Sequence, residues 1–330
     1  MILITGINGF IGSHIAKILI GKGFAVRGLV RATSNLTNLE PIKSKIELVF
    51  GDILDESSLK KAFSSVDICF HTAALVKVGR HTKKEYLSTN LQGTINVCNA
   101  AIKAGVKKFI YTSTCETLRY GSGEKCSFSG GGEGVTLITE NIKNNYIDMV
   151  GDYGRSKFLA EEHVKARVTE GLPAVIVNPT AVIGPCDINN IPPNALLTAF
   201  YRQKIPFYFE TGFNVTDVRD VAIGHVLALE RGMIGERYIL GTSNVLLSEL
   251  FKMIRDVSHK KIFSMRIPYT VVDAAVKCLP IERSWVEKIR ASKYPFFLES
   301  SKAGRELGWR PAFNLRTSIK DALDDKHHIA

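Results

Sequence analysis

The stretch Thr5-Gly6-Ile7-Asn8-Gly9-Phe10-Ile11-Gly12 joins an apolar run, ILIT (2–5), to an amphipathic pattern over about 10–22. Three glycines at such a junction restrict the fold more than any other feature of the chain. The tight turn requires backbone angles that a Cβ would forbid, and it aims bare N–H groups over the start of a helix. A dinucleotide pyrophosphate suits that strand–turn–helix arrangement, with the last glycine letting helix and sheet approach closely. Gly6, Asn8, Gly9, Phe10, Ile11 and Gly12 are therefore the expected cofactor-binding turn.

Continuous apolar runs follow at AVRGLV (25–30), IELVF (46–50), ICFHTA (68–73), KFIYTS (108–113) and AVIVN (174–178), separated by helical patterns. Runs without polar alternation imply a parallel sheet covered on both faces. Asp55 is expected to cap a short helix reaching about 64, and Thr82 to open a long one reaching about 104. Residues 119–147 break the pattern with GSGEKCSFSGGGEG, which reads either as a surface loop or as a lid over a nearby site. Beyond Pro179 the pattern loosens, with helices expected near 194–203, 248–258 and 300–307. The architecture expected is α/β: a doubly wound parallel sheet (Rossmann) over 1–178 with a returning segment near 213–245. A smaller, interleaved C-terminal α/β substrate-capping domain over 179–330 would close on the sheet's C-terminal edge.

Composition excludes several classes. The 330 residues are 45% hydrophobic and 23% charged, as in ordinary globular proteins. No apolar run reaches the ~18–20 residues of a membrane span. The start, MILIT, is strand-like and lacks the basic region and cleavage site of a signal peptide, so the expected location is cytoplasmic. A net charge of +11 is compatible with nucleic-acid binding, yet the lysines are dispersed and no arginine-rich arm appears. A basic enzyme holding a polyanionic cofactor is the simpler reading. The six cysteines are scattered, with neither metal-ligand spacing nor a CxxC pair, so no metal site is expected.

Two further positions carry chemistry. The second strand ends Leu29-Val30-Arg31-Ala32, without the carboxylate that would grip a ribose hydroxyl and repel a 2′-phosphate. Arg31 thus predicts NADP, with NAD as the alternative. Tyr153 and Lys157 open a helical pattern (YGRSKFLAEEHVKARV) and share one helix face. A phenol ordinarily titrates near ~10, and a neighbouring cation would lower it. Of the tyrosines, only Tyr153 has a lysine four residues later. Thr112-Ser113-Thr114, ending the run KFIYTS, supplies hydroxyls for a substrate oxygen.

The GxxGxxG spacing with leading Thr5, together with Tyr153-x-x-x-Lys157, resembles the short-chain dehydrogenase/reductase superfamily. Other stretches resemble its extended branch: Gly51-Asp52-Ile53, His71-Thr72-Ala73-Ala74, Asn178-Pro179-Thr180, Gly184-Pro185, Asp217-Val218-Arg219-Asp220-Val221 and LGWRP (307–311). The resemblance implies catalytic roles for Thr114, Tyr153 and Lys157, with Ser113 a possible substitute for Thr114. It implies cofactor contacts at Asp52, Ile53, Ala73 and Pro179, and substrate contacts at Thr114, Tyr153 and Asn178. His71 reads as a satisfied strand-end histidine, whereas Asn90 and Asp220 read equally as loop braces or as ligand contacts. A homodimer through the helices near 82–104 and 152–171, acting on a small-molecule substrate, is the implied assembly. VNPTAVIGP and Arg31 resemble dihydroflavonol-reductase-like and 3β-hydroxysteroid-dehydrogenase-like proteins, whereas GDYGRSKFLAEE and ALERGMIGERYILG are similar to proteins called hopanoid-associated sugar epimerases. The expected activity is NAD(P)-dependent hydride transfer between nicotinamide and a secondary alcohol or ketone. Alternatives are a nucleotide-sugar epimerase or dehydratase that keeps its cofactor, and a non-catalytic NADP-binding sensor.

Overall fold

The computed structural model describes residues 1–76, 81–119, 137–278 and 280–327. Six apolar runs form the strands β1 (Ile2–Thr5), β2 (Val26–Val30), β3 (Ile46–Phe50), β4 (Ile68–His71), β5 (Lys108–Thr112) and β6 (Ala174–Pro179). After three further strands, β7 (Ala181–Ile183), β8 (Phe207–Tyr208) and β9 (Gly212–Asp217), the chain adds β10 (Arg237–Leu240) to the same sheet. The seven-stranded order is β3-β2-β1-β4-β5-β6-β10, and every pairing is parallel. This is the doubly wound sheet of a Rossmann-like fold, with a C-terminal α/β layer set against it.

Both faces are covered, as the apolar runs require. Ile2 and Ile4 pack on one side with α1 (Phe10–Gly21), and Leu3 packs on the other over α2 (Glu56–Ala62). Asp55 caps α2 by accepting from the amides of Ser57 and Ser58. Thr82 and Glu85 form a capping box that opens α3 (Lys83–Tyr86); the helix widens over Leu87–Gln92 and continues as α4 (Gly93–Ala104). α5 (Gly151–Thr169) follows, then α6 (Asn194–Tyr201) and α7 (Val218–Arg231), which returns to lie against α1.

The returning segment is narrower than the sequence suggests. β9 belongs to a separate three-stranded sheet between β7 and β11 (Ser243–Leu246), so only α7 and β10 rejoin the large sheet. The smaller core forms between that sheet, α6, α8 (Leu247–Ser258) and α11 (Leu315–His327), with Phe200 stacked on Phe251 at 3.7 Å. β8 pairs with β12 (Met265–Arg266). Two helices unforeseen in the sequence pattern, α9 (Tyr269–Cys278) and α10 (Arg283–Ala291), follow β12. The helix expected near 300–307 is one wide turn, Ala303–Leu307. Of the 119–147 stretch, residues 120–136 lie outside the described residues. Ile138, just after them, pairs with Leu298 and is buried.

The glycine turn is held by close contact. Gly6 adopts φ +72°, and a Cβ there would lie 2.8 Å from the backbone of Ala73, which follows β4. A Cβ on Gly12 would lie 2.3 Å from the Gly6 carbonyl oxygen. Because that neighbour is backbone, little can yield. Gly12→Ala is expected to lower stability by about 1–3 kcal/mol through this overlap and to abolish dinucleotide binding. Urea unfolding and titration with NADPH measure the two effects, and unchanged binding would show that the turn tolerates the methyl.

Candidate active site

A cleft opens at the C-terminal ends of β1–β4, where open α/β sheets bind ligands. It is lined by Gly6, Asn8 and Gly9 of the turn, by Arg31 and Ser34 after β2, by Asp52 and Ile53 after β3, and by Ala73 after β4. The Asn8 amide donates to the Asn35 carbonyl at 3.1 Å, tying the turn to the loop that carries Arg31. Arg31 is exposed. Gly12 lies behind the cleft as the point where α1 crosses the turn. Phe10 packs into the core and Ile11 is half-buried beside it, so at these positions only the helix backbone faces the turn.

The Tyr–Lys pair projects from the first two turns of α5. The Tyr153 phenol lies beside the Thr114 hydroxyl, which favours its ionised form, and Thr114 accepts from the Glu116 amide at 3.3 Å. Burial pushes the phenol well above its ordinary value, with the Thr114 bond opposing the shift. The expected downward shift from Lys157 is absent, because the ammonium is directed elsewhere. It donates to the Tyr111 hydroxyl and the Thr112 carbonyl, both at 2.8 Å. Lys157 is only 2% exposed, and burial brings its pKa down to about 7 against the opposing pull of Glu161.

Glu161, one turn beyond Lys157, was not singled out by the sequence reading. The carboxylate is 1% exposed and accepts from Ser113 (2.5 Å), Thr117 (2.8 Å), the Asn178 amide (2.9 Å), Lys165 (3.0 Å) and Arg237 (3.1 Å). Burial raises its pKa, but Lys165, Arg237 and the two hydroxyls prevail and set it at about 2. Arg237 also binds the carbonyls of Glu140 (2.5 Å) and Ile142 (3.1 Å), while the Glu140 carboxylate accepts from the Ile239 amide. The spacing Tyr153–Lys157–Glu161 on one face was the available signal.

This network shows where two candidate side chains lie. Ser113 is turned toward Glu161, which leaves Thr114 as the hydroxyl beside Tyr153. Asn178, expected on the substrate side, is fully buried and donates to the Thr114 carbonyl at 3.0 Å, so it braces Thr114 from behind. The cause is register: β6 is buried on both faces, and Asn178 falls on the side facing α5. Pro179 is the buried end of β6, in register with Leu240, and is not among the residues that line the cleft. On the cap side, the Glu287 carboxylate of α10 accepts from the Gly151 amide at 3.1 Å and pairs with Arg155 at 3.0 Å, seating α10 over the start of α5.

The remaining candidates are braces. His71 lies between the hydroxyls of Thr5 (2.7 Å) and Thr94 (3.0 Å), and burial lowers its pKa to about 3. Asn90 bonds both backbone groups of Leu75 and the Ser156 hydroxyl. Asp220 accepts from the amides of Ala312 and Phe313, just past the closing LGWRP. The Cys115 thiol is buried, and burial pushes it up to about 12. Among the described residues no cluster is suited to a metal ion, and no helix is long and apolar enough to cross a membrane.

A parallel sheet of order β3-β2-β1-β4-β5-β6-β10, opening on a glycine turn and carrying Tyr and Lys on a helix beside β5, defines an enzyme of the extended short-chain dehydrogenase/reductase type. Residues 2–241 match the model of the NAD dependent epimerase/dehydratase family, and the chain belongs to that family. It is 32% identical over 338 residues to a putative dihydroflavonol 4-reductase of Synechocystis, covering 98% of this chain and 93% of that protein. The solved structure of gox2253 superposes with a TM-score of 0.88 at 33% identity, covering 100% of this chain and 98% of the other. UDP-glucose 4-epimerase from Thermotoga maritima, solved with UDP-glucose, gives 0.79 at 25% identity over 99% of both chains.

The Glu161 network yields a pH test. Its folded carboxyl titrates at about 2, below the ordinary 4.5. The stability it contributes is complete above about 4.5 and is withdrawn as the pH falls toward about 2. Glu161→Gln should flatten the slope of unfolding free energy against pH in that window. At neutral pH it should lower stability by about 3–5 kcal/mol, since Arg237 then lacks its buried partner. Urea unfolding across the pH range measures both, and an unchanged slope would show that Glu161 is not the group titrating.

Proposed function

We propose that this chain is an NADP-dependent reductase or dehydrogenase that interconverts a ketone and a secondary alcohol. The observation that carries the reading is the Thr114–Tyr153 hydroxyl pair, with Lys157 one turn further along α5 at the same edge of the sheet. When bound, a reduced nicotinamide supplies the hydride that reaches the carbonyl carbon. Tyr153 delivers the proton to the carbonyl oxygen, and Thr114 holds that oxygen through its own hydroxyl. Lys157 acts through charge. Its ammonium is turned to the Tyr111 hydroxyl and the Thr112 carbonyl, so to favour the Tyr153 phenolate it would have to swing toward the phenol and the nicotinamide ribose when the dinucleotide binds.

The residues of the cleft fit the dinucleotide. The amides at the start of α1 and the bare turn of Gly6 and Gly9 would hold the pyrophosphate, with Asp52, Ile53 and Ala73 around the adenosine. Arg31 and Ser34 stand at the end of β2, and a guanidinium there grips a 2′-phosphate that a carboxylate would repel. A second reading, a nucleotide-sugar epimerase that oxidises and re-reduces one carbon with the same trio, draws support from the likeness to UDP-glucose 4-epimerase.

Purified chain incubated with NADPH and a panel of ketones should consume the cofactor stoichiometrically with alcohol formed. Retained dinucleotide, no net consumption and an epimerised sugar nucleotide would decide for the second reading. Tyr153→Phe is expected to lower kcat by about 10²–10⁴-fold while leaving the NADPH Kd unchanged; near-normal kcat would remove Tyr153 from the mechanism. Arg31→Ala should weaken NADPH by about ten-fold or more through the lost charge-assisted bonds, with NADH unaffected. Equal losses for both cofactors would overturn the assignment of Arg31.

A further inference from the structure

One face of the smaller layer carries apolar side chains that none of the described residues covers. β8 and β12 run parallel, with Phe207 opposite Met265 and Tyr208 opposite Arg266. Successive strand residues point to opposite sides, and Tyr208 turns inward to pack edge-on against Phe251 at 5.1 Å. Phe207 therefore points out, 53% exposed, beside Met265 at 48%, and Phe263 two residues earlier is 72% exposed. Large aromatic tips this open signal a contact surface.

Charge surrounds them. Arg202, Lys204, Lys260, Lys261 and Arg266 are all exposed and lie within five residues of those apolar side chains along the chain. The single carboxylate in the stretches 202–210 and 258–270 is Glu210, 3.5 Å from Arg266.

We propose that this face docks on an anionic lipid bilayer, with Phe207, Phe263 and Met265 entering the headgroup–acyl boundary and the cations resting on lipid phosphates. Apolar tips ringed by lysine and arginine are the chemistry that such a surface recognises, apolar burial and electrostatic attraction adding together. A second copy of the chain fits poorly, because a two-fold contact would set this group of cations against its own duplicate. A stable protein interface also fits poorly, since lysine is depleted from such contacts. The proposal is independent of the redox reading of the active site.

Co-sedimentation of the full chain tests it, using vesicles of phosphatidylcholine alone and vesicles in which about a third of the lipid is phosphatidylglycerol. Binding is expected on the anionic vesicles only, weakening as salt rises. Lys260→Glu with Lys261→Glu should lower the partition at least ~10-fold, at roughly 1 kcal/mol per charge near the surface. Phe263→Ser with Met265→Ser should lower binding at every salt concentration. Unchanged melting temperature and NADPH affinity in both variants would establish that they remain folded. No binding to anionic vesicles, binding indifferent to both variants, a dimer broken by them, or stronger retention on RNA than on vesicles would each overturn the proposal.

Discussion

The geometry of the site rests on one buried carboxylate. Glu161 gathers a hydroxyl from the end of β5, an amide from β6, a guanidinium from β10 and a hydroxyl from the turn after Thr114. A charge removed from water is unfavourable unless its partners are numerous and well placed. Here they are drawn from four separate parts of the chain, so the carboxylate fixes how those parts sit relative to one another. Thr114 is held between that network and Tyr153. The Thr114 and Tyr153 hydroxyls are thus positioned by packing behind them.

The sheet supplies the rest. Because its strands are parallel, all their C-terminal ends lie along one edge, and the glycine turn after β1, the cleft residues after β2–β4 and Thr114 after β5 share it. Lys157 reaches the same edge from α5 and is fixed by Tyr111 and Thr112 of β5. Polar groups that are far apart in sequence therefore converge without any long loop having to place them.

Much of this was legible in the residues. Six strands, the glycine turn, the caps at Asp55 and Thr82 and the Tyr153–Lys157 face all follow from local rules, because each depends on neighbours a few positions away. What was hidden depends on distant partners. β6 is buried along its whole length, so no alternation reveals which way Asn178 points. Glu161 looks like one of two solvated glutamates in an amphipathic helix; only Arg237, brought in by β10, makes it a buried ion. α9 and α10 escape a pattern search because they bury little, with Val276 the one buried side chain that α9 contributes. The partners of β9 and β11 are not legible either, since short strands carry no record of what they pair with.

The placement of β10 bears on how the chain matures. A nascent polypeptide that has delivered residues 1–178 already holds six of the seven strands and most of the groups around Glu161, but the guanidinium arrives only after β7, β9 and α7 have been synthesised. Until then Lys165 is the sole cation at that carboxylate. Closure of the large sheet and full neutralisation of Glu161 therefore both fall on one late strand, β10. A chain truncated before Arg237 leaves Glu161 with Lys165 as its one cation among the described residues.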